Sequence, residues 1–254
     1  MRDQYQRIGR VVFRLFGKGA KMKTHDYQTF ASEYASLGIE GTQYLAFRDV
    51  PKLIQKHVSG THALDYGCGA GRSTRLLKSL GLDTVGVDIS NDMLQQARLK
   101  DTKGLYRNIK SGELPFDNES FDLVFSSFVF LEISSLAEIE KILKEFRRVL
   151  KPHGICIFIT SSEPGYKGDW VSLSYDFPEN KRELKTGDTV KLQFRGTNVI
   201  LYDYYWTHKD FVEVFGRSGL HMQELHQPMG LETDQINWRD EAHSPPMSLY
   251  VLKR

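Results

Sequence analysis

The chain has little of what would place it in several large classes. Of its 254 residues only two are cysteines, Cys68 and Cys156, and both fall on or beside segments that read as parallel strands. A disulfide framework is therefore excluded, and a reduced, cytoplasmic setting is expected. No apolar run approaches the roughly eighteen residues of a membrane span. The eight histidines show no metal-ligand spacing, so no metal is expected. Net charge is only +2 with 26% charged residues, which removes any strong pull of the whole chain toward nucleic acid or membrane. A G-x-x-x-x-G-K-[ST] run is absent, so a P-loop triphosphate site is excluded.

What is present is a glycine turn. Leu64-Asp65-Tyr66-Gly67-Cys68-Gly69-Ala70-Gly71 reads as a short strand ending in an acid, then three alternating glycines, then a helix from Arg72 to Leu80. Val85-Gly86-Val87-Asp88-Ile89 reads as a second buried strand, again with a terminal acid. Glycine admits positive φ and close approach of a ligand, and the helix mouth offers unpaired N–H groups to an anion. Asp88 lies 21 residues beyond Gly67, where dinucleotide folds place the ribose acid. Yet the spacing is G-x-G-x-G, and Arg72 stands at the third glycine of the dinucleotide pattern. Asp65 would repel a pyrophosphate but suit the ammonium of an amino acid. Adenosine at one end and a zwitterion at the other describe S-adenosylmethionine.

Two further segments follow in order. Glu113-Leu114-Pro115-Phe116 precedes Ser120-Phe121-Asp122-Leu123-Val124-Phe125-Ser126-Ser127, and Arg148-Val149-Leu150-Lys151-Pro152-His153-Gly154 precedes Ile155-Cys156-Ile157-Phe158-Ile159. With the glycine turn and the Asp88 strand, these four motifs across residues 61–163 resemble the class I S-adenosylmethionine-dependent methyltransferases, with His153 replacing a glycine. The resemblance implies a Rossmann-like, doubly wound α/β sheet of seven strands with an antiparallel last strand. It further implies that Asp65, Gly67 and Gly69 hold the methionine part, Asp88 the ribose and Ile89 the adenine, with Ser126 near the sulfonium. Tyr27 and Tyr34 would close over the cofactor. The acid that many members use for the adenine amine is Lys110 here, so backbone groups of Ser111 or Gly112 are expected to replace it.

The alternation of strands and helices from residue 63 supports that sheet independently. It gives strands at 63–66, 84–87, 105–108, 121–126 and 155–160, with Lys151-Pro152-His153-Gly154 as a turn. Helices read at 91–100 and 136–150. Residues 24–60 read as N-terminal helices covering cofactor and substrate, the second broken at Pro51. Residues 61–254 read as the methyltransferase domain, interrupted by an insertion at 163–206 with nine aromatics. Thr189–Phe194 and Val199–Tyr204 alternate as a hairpin. A helix from His208 and strands at 220–226 and 247–252 complete the pattern.

Ligands of doubly wound sheets bind beyond the carboxyl ends of the strands, so the insertion is read as a lid. Trp170, Tyr204, Tyr205 and Trp206 are the expected acceptor pocket, suited to a flat, largely apolar small molecule. Any one of them could equally be lid core. Glu132 and His226 are the candidate bases, needed only for an acceptor protonated at neutral pH. The expected activity is methyl transfer to oxygen or nitrogen of a small aromatic or heterocyclic molecule, leaving S-adenosylhomocysteine. Asp176-Phe177-Pro178-Glu179-Asn180 with Asp203-Tyr204-Tyr205-Trp206 resembles the toxoflavin-type N-methyltransferases. A rearrangement enzyme binding the same cofactor, or a non-catalytic binding module, is the alternative. No nucleic acid partner is expected, since Ser126-Ser127-Phe128-Val129 stands where amino-methylating DNA enzymes carry Asn/Asp-Pro-Pro-Tyr/Phe. Residues 1–23 hold seven basic side chains against one acid. They read as a loosely docked basic extension, with membrane-surface contact or targeting as the other readings.

Overall fold

The computed structural model describes residues 38–254. The expectations for residues 1–23, Tyr27 and Tyr34 lie outside the described residues. Helix α1 (Thr42–Arg48) and helix α2 (Val50–His57) are separated at Asp49, and Pro51 sits in the first turn of α2, where its missing N–H costs nothing. Then strands and helices alternate: β1 (His62–Tyr66), α3 (Arg72–Ser79), β2 (Asp83–Asp88), α4 (Asn91–Lys100), β3 (Leu105–Asn108), β4 (Phe121–Ser127), α5 (Leu136–Val149) and β5 (Leu150–Ser161). After β6 (Leu173–Ser174), β7 (Thr189–Phe194) and β8 (Ile200–Tyr204) come α6 (His208–Ser218), β9 (His221–His226) and β10 (Met247–Lys253).

Seven strands form one sheet in the order β3-β2-β1-β4-β5-β10-β9. β10 runs antiparallel to both neighbours and the others are parallel. The central strands are buried on both faces, which is why they read as continuous apolar runs. Alternation still sorts their side chains. Leu64, Val124, Phe158 and Tyr250 face α5 and α6, while Ala63, Phe125, Ile157 and Val251 face α1, α2 and α3. On the first face α5 contributes Ile139, Ile142, Leu143, Phe146 and Val149, an apolar stripe at helical spacing. Phe158 is its centre, stacked on Tyr250 and edge-on to Phe130 and Phe215. Helix α6 begins with a capping box in which the Thr207 hydroxyl accepts from Asp210 N–H and the Asp210 carboxylate accepts from Thr207 N–H.

The turn expected at 151–154 is instead part of β5, and it leaves the ladder register. Phe121 pairs with Leu150 and Leu123 with Ile155, so residues 151–154 bulge between them. The aromatic-rich stretch makes a second sheet, β6-β7-β8, with its own core around Tyr166, Trp170, Tyr175, Leu192 and Tyr205. β6 is an addition to the expected hairpin. It is two residues long, too short for periodicity to show.

Candidate active site

The glycine turn closes on β2: Gly67 and Cys68 both donate to the Val87 carbonyl, at 2.8 and 3.0 Å. Gly67 has φ 70°, and a Cβ there would lie 2.1 Å from Val129 Cγ2. Only glycine lets the loop pass beneath the segment after β4. Asp88, at the end of β2, ties two loops together. Its Oδ2 accepts the Gly69 N–H and its Oδ1 accepts the Ser90 N–H, each at 2.8 Å. Burial pushes its pKa up, against the pull of those backbone donors. Asp88 also borders the adjoining cavity.

That cavity, of about 280 Å³, lies at the carboxyl ends of β1, β2 and β4. Gly67, Gly69, Asp88, Ile89, Ser111 and Glu132, chosen from sequence, all line it. Ile89 is 64% exposed, an apolar side chain presented to open space. Tyr66, Met93, Phe128 and Glu138 also line it. Glu138, on α5, accepts the Ser111 hydroxyl at 2.8 Å. It brings an acid to the cavity that the Lys110 position does not supply, and nothing local in sequence links it to residue 111. Phe128 has φ 60°, a conformation costly for a non-glycine residue and found most often at functional sites.

A second, narrow cleft of about 30 Å³ shares Phe128 and Glu132 with this cavity. The small sheet supplies its wall through Leu173, Tyr175, Leu192, Phe194, Leu201 and Asp203, and α1 supplies Gln43.

The methyltransferase domain model matches residues 64–158. An N-demethylindolmycin N-methyltransferase of Streptomyces griseus is 30% identical over 166 residues, covering 62% of this chain and 68% of its own length. The chain belongs to the S-adenosylmethionine-dependent methyltransferases. A demethylmenaquinone methyltransferase of Tropheryma whipplei is 36% identical over 108 residues, 42% of this chain and 44% of that protein, so the chain matches less than half of that relative. The crystal structure of an S-adenosylmethionine-dependent methyltransferase from Mesorhizobium loti shares the fold, with TM-score 0.60 and 19% identity over 84% of this chain and 100% of its own.

Other expected site residues of this methyltransferase lie elsewhere. Asp65 is fully buried; its Oδ2 accepts from Ser73 at 2.7 Å and Thr74 at 2.5 Å, while Oδ1 has no partner. Strand alternation explains this, because Asp65 faces α3 whereas Tyr66 faces the cavity side. Desolvation pushes the Asp65 pKa up to about 6, against the two hydroxyl donors. Ser126 is buried and its neighbour Ser127 reaches the cavity instead. Gly112 donates to the Tyr66 hydroxyl at 3.3 Å and does not line the cavity.

The four aromatics expected to line the acceptor pocket do not stand together. Trp170 has no exposed surface, and its Nε1 donates to the Gly165 carbonyl at 2.7 Å inside the small sheet's core. Tyr204 is half-buried and stacks on Trp206. Tyr205 and Trp206 line a larger cavity, about 620 Å³, that contains no residue of the glycine turn. His226 pairs with Asp49 at 2.9 Å, and Asp49 in turn holds Arg48. It braces the junction of α1 and α2 against β9, and it lines neither the cavity beside the glycine turn nor the cleft. The cleft residues Gln43 and Asp203 were missed. A signal existed for Asp203: it sits on the buried face of the alternating strand β8, two residues from Leu201, where the pattern calls for an apolar side chain.

Proposed function

We propose that the protein transfers a methyl group from S-adenosylmethionine to nitrogen or oxygen of a small, largely apolar molecule. The observation that carries this reading is that Glu132 and Phe128 line both cavities at once. A donor on one side and an acceptor on the other would then meet at Glu132.

The donor cavity fits the cofactor. Asp88 offers carboxylate lone pairs to ribose hydroxyls, and Ile89, Met93 and Ile109 offer an apolar slot for adenine. Glu138, held by Ser111, stands where the adenine amine could be read. When bound, S-adenosylmethionine supplies a methyl on a positively charged sulfur, and the acceptor's lone pair takes the methyl carbon as the old bond's electrons return to sulfur. The chain's own part is to hold the acceptor in line and dry, an orientation effect of up to roughly 7–11 kcal/mol. Residues 163–206 act as the cover over that site. Glu132 takes a proton from the acceptor where the acceptor carries one. Two relatives are named for N-demethylindolmycin and demethylmenaquinone, which supports a small-molecule acceptor. The two buried free thiols, Cys68 and Cys156, support a reducing, cytoplasmic setting.

The test is to incubate the protein with S-adenosylmethionine and a panel of small apolar amines and alcohols, following S-adenosylhomocysteine. Glu132→Gln should lower kcat by about 10²–10⁴ while S-adenosylhomocysteine affinity holds. An unchanged kcat would remove Glu132 from the chemistry. Cofactor bound but never demethylated across the panel would favour a rearrangement enzyme on this scaffold.

A further inference from the structure

The cavity of about 620 Å³ shares no lining residue with the donor cavity. Its size is that of a small-molecule site, roughly 300–1,000 Å³. It lies where β5 ends, between the start of the insertion and the first turn of α6. Tyr205, Trp206, Phe211 and Tyr250 line it. All four are held by core packing, so this aromatic lining is in place before any ligand arrives.

Besides His208, the titratable side chains with charge at this cavity are Glu163, Lys167 and Asp240. Glu163 is engaged by the fold. Its Oε1 accepts the His208 N–H at 2.9 Å, and its Oε2 accepts the Tyr205 hydroxyl at 3.4 Å. His208 opens α6, so the carboxylate also meets the positive end of that helix. His208 itself is held by Tyr250, with Nδ1 3.0 Å from the hydroxyl. Lys167 and Asp240 are different. Asp240 donates its N–H to the Asp169 carbonyl at 3.3 Å, and Asp240 Oδ2 accepts the Asp169 N–H at 2.7 Å. That clasp joins their two segments, and Lys167 stands only two positions before Asp169. Yet neither Lys167 nor Asp240 has an ion-pair partner among the described residues. A simple anion would use Lys167 and meet the charge of Asp240 unpaired, and a simple cation would do the reverse. A molecule carrying an ammonium and a carboxylate on one carbon answers both.

We propose that this cavity is a second ligand site, separate from the donor cavity, for a free amino acid with a flat apolar side chain. The ligand's carboxylate pairs with Lys167, its ammonium pairs with Asp240, and its side chain lies against the aromatic lining. Neither charge belongs to the donor cavity or to the cleft beside Glu132. Lys167 and Asp240 are both exposed, so each pair contributes modestly by itself. Selectivity comes from a ligand that makes both. Such a ligand ties the start of the insertion to the turn before β10.

The test is calorimetry on the full chain with S-adenosylhomocysteine present in excess, so that the donor cavity is filled. Two matched sets of probes separate the charges: L-phenylalanine, phenethylamine and 3-phenylpropionate, and L-tryptophan, tryptamine and 3-indolepropionate. In at least one set the amino acid should bind about threefold or more tightly than either single-charge analogue. Lys167→Met should bring the amino acid down to the level of its amine, whose own affinity should hold. Asp240→Asn keeps an oxygen for the Asp169 N–H, and should bring the amino acid down to the level of its acid. Because both side chains are exposed, the melting temperatures of the ligand-free variants should match the wild type. Amino acids binding no more tightly than their analogues in both sets would overturn the proposal, as would variants that keep the wild-type preference. Amino-acid binding seen only without S-adenosylhomocysteine would place the ligand in the donor cavity and equally overturn it.

Discussion

Substituting Gly67 tests whether the glycine turn is shaped by the segment above it. In Gly67→Ala the new Cβ would stand 2.1 Å from Val129 Cγ2 and 3.4 Å from Val129 Cβ. Val129 cannot simply swing away, because a β-branched side chain is stiff at χ1. Its carbonyl also accepts the Glu132 N–H at 2.9 Å, in the 3₁₀ turn that presents Glu132. The backbone at φ 70° adds a left-handed penalty of roughly 1–2 kcal/mol for an L-residue, and overpacking adds roughly 1–3 kcal/mol. The sum, about 2–5 kcal/mol, is a large part of a typical domain stability of roughly 5–15 kcal/mol. Urea unfolding should register it, with a fall in Tm of roughly 5–15 °C. In a Val129→Ala background the overlap disappears and only the backbone penalty remains. The double-mutant cycle should therefore show a favourable coupling of about 1–3 kcal/mol, with S-adenosylhomocysteine affinity recovering in parallel. Additivity of the two substitutions within about 0.5 kcal/mol would refute the reasoning.

Two further outcomes follow from the two buried acids. Asp88→Ala should weaken S-adenosylmethionine binding by about 1.5–3 kcal/mol through the loss of charge-assisted bonds, and unchanged affinity in calorimetry would remove Asp88 as the ribose acid. Asp65 is raised from 3.8 to about 6 by desolvation, so the native state holds its proton where the unfolded chain has lost it. Its contribution therefore favours the native state below about pH 4 and declines by roughly 3 kcal/mol as pH rises through about 6. The stability difference between wild type and Asp65→Asn should move in the variant's favour by that amount from about pH 4 to pH 7, and a pH-independent difference would contradict the assigned burial.

Much of the donor side could be read along the chain because it is local. The glycine turn, the helix after it and the acid ending β2 lie within 25 residues, from Leu64 to Asp88, and every step between them is a turn or strand rule. The order of motifs likewise implied the parallel sheet, and six expected residues line one cavity. Asp65 went astray by one position of alternation. The spacing told that an acid ends the strand, but only the packing of α3 against β1 told which face it takes. Glu138 was missed for a different reason, since it reaches Ser111 from a helix 27 residues away and no periodicity marks that contact.

The fate of the aromatic stretch depended on packing throughout. Nine aromatics promised a pocket, yet Trp170 is consumed by the core of the small sheet, because a three-stranded sheet needs large apolar side chains to stand alone. His226 looked free at a strand end until Asp49, distant in sequence, took it. The sequence by itself determined the sheet, the glycine turn and the class of donor, since each rests on contacts between near neighbours and on simple periods. Only the tertiary structure decided that Gln43, Glu132 and Asp203 share one cleft. They come from α1, a 3₁₀ turn and β8, and what joins them is the burial of three separate surfaces, which no local rule encodes.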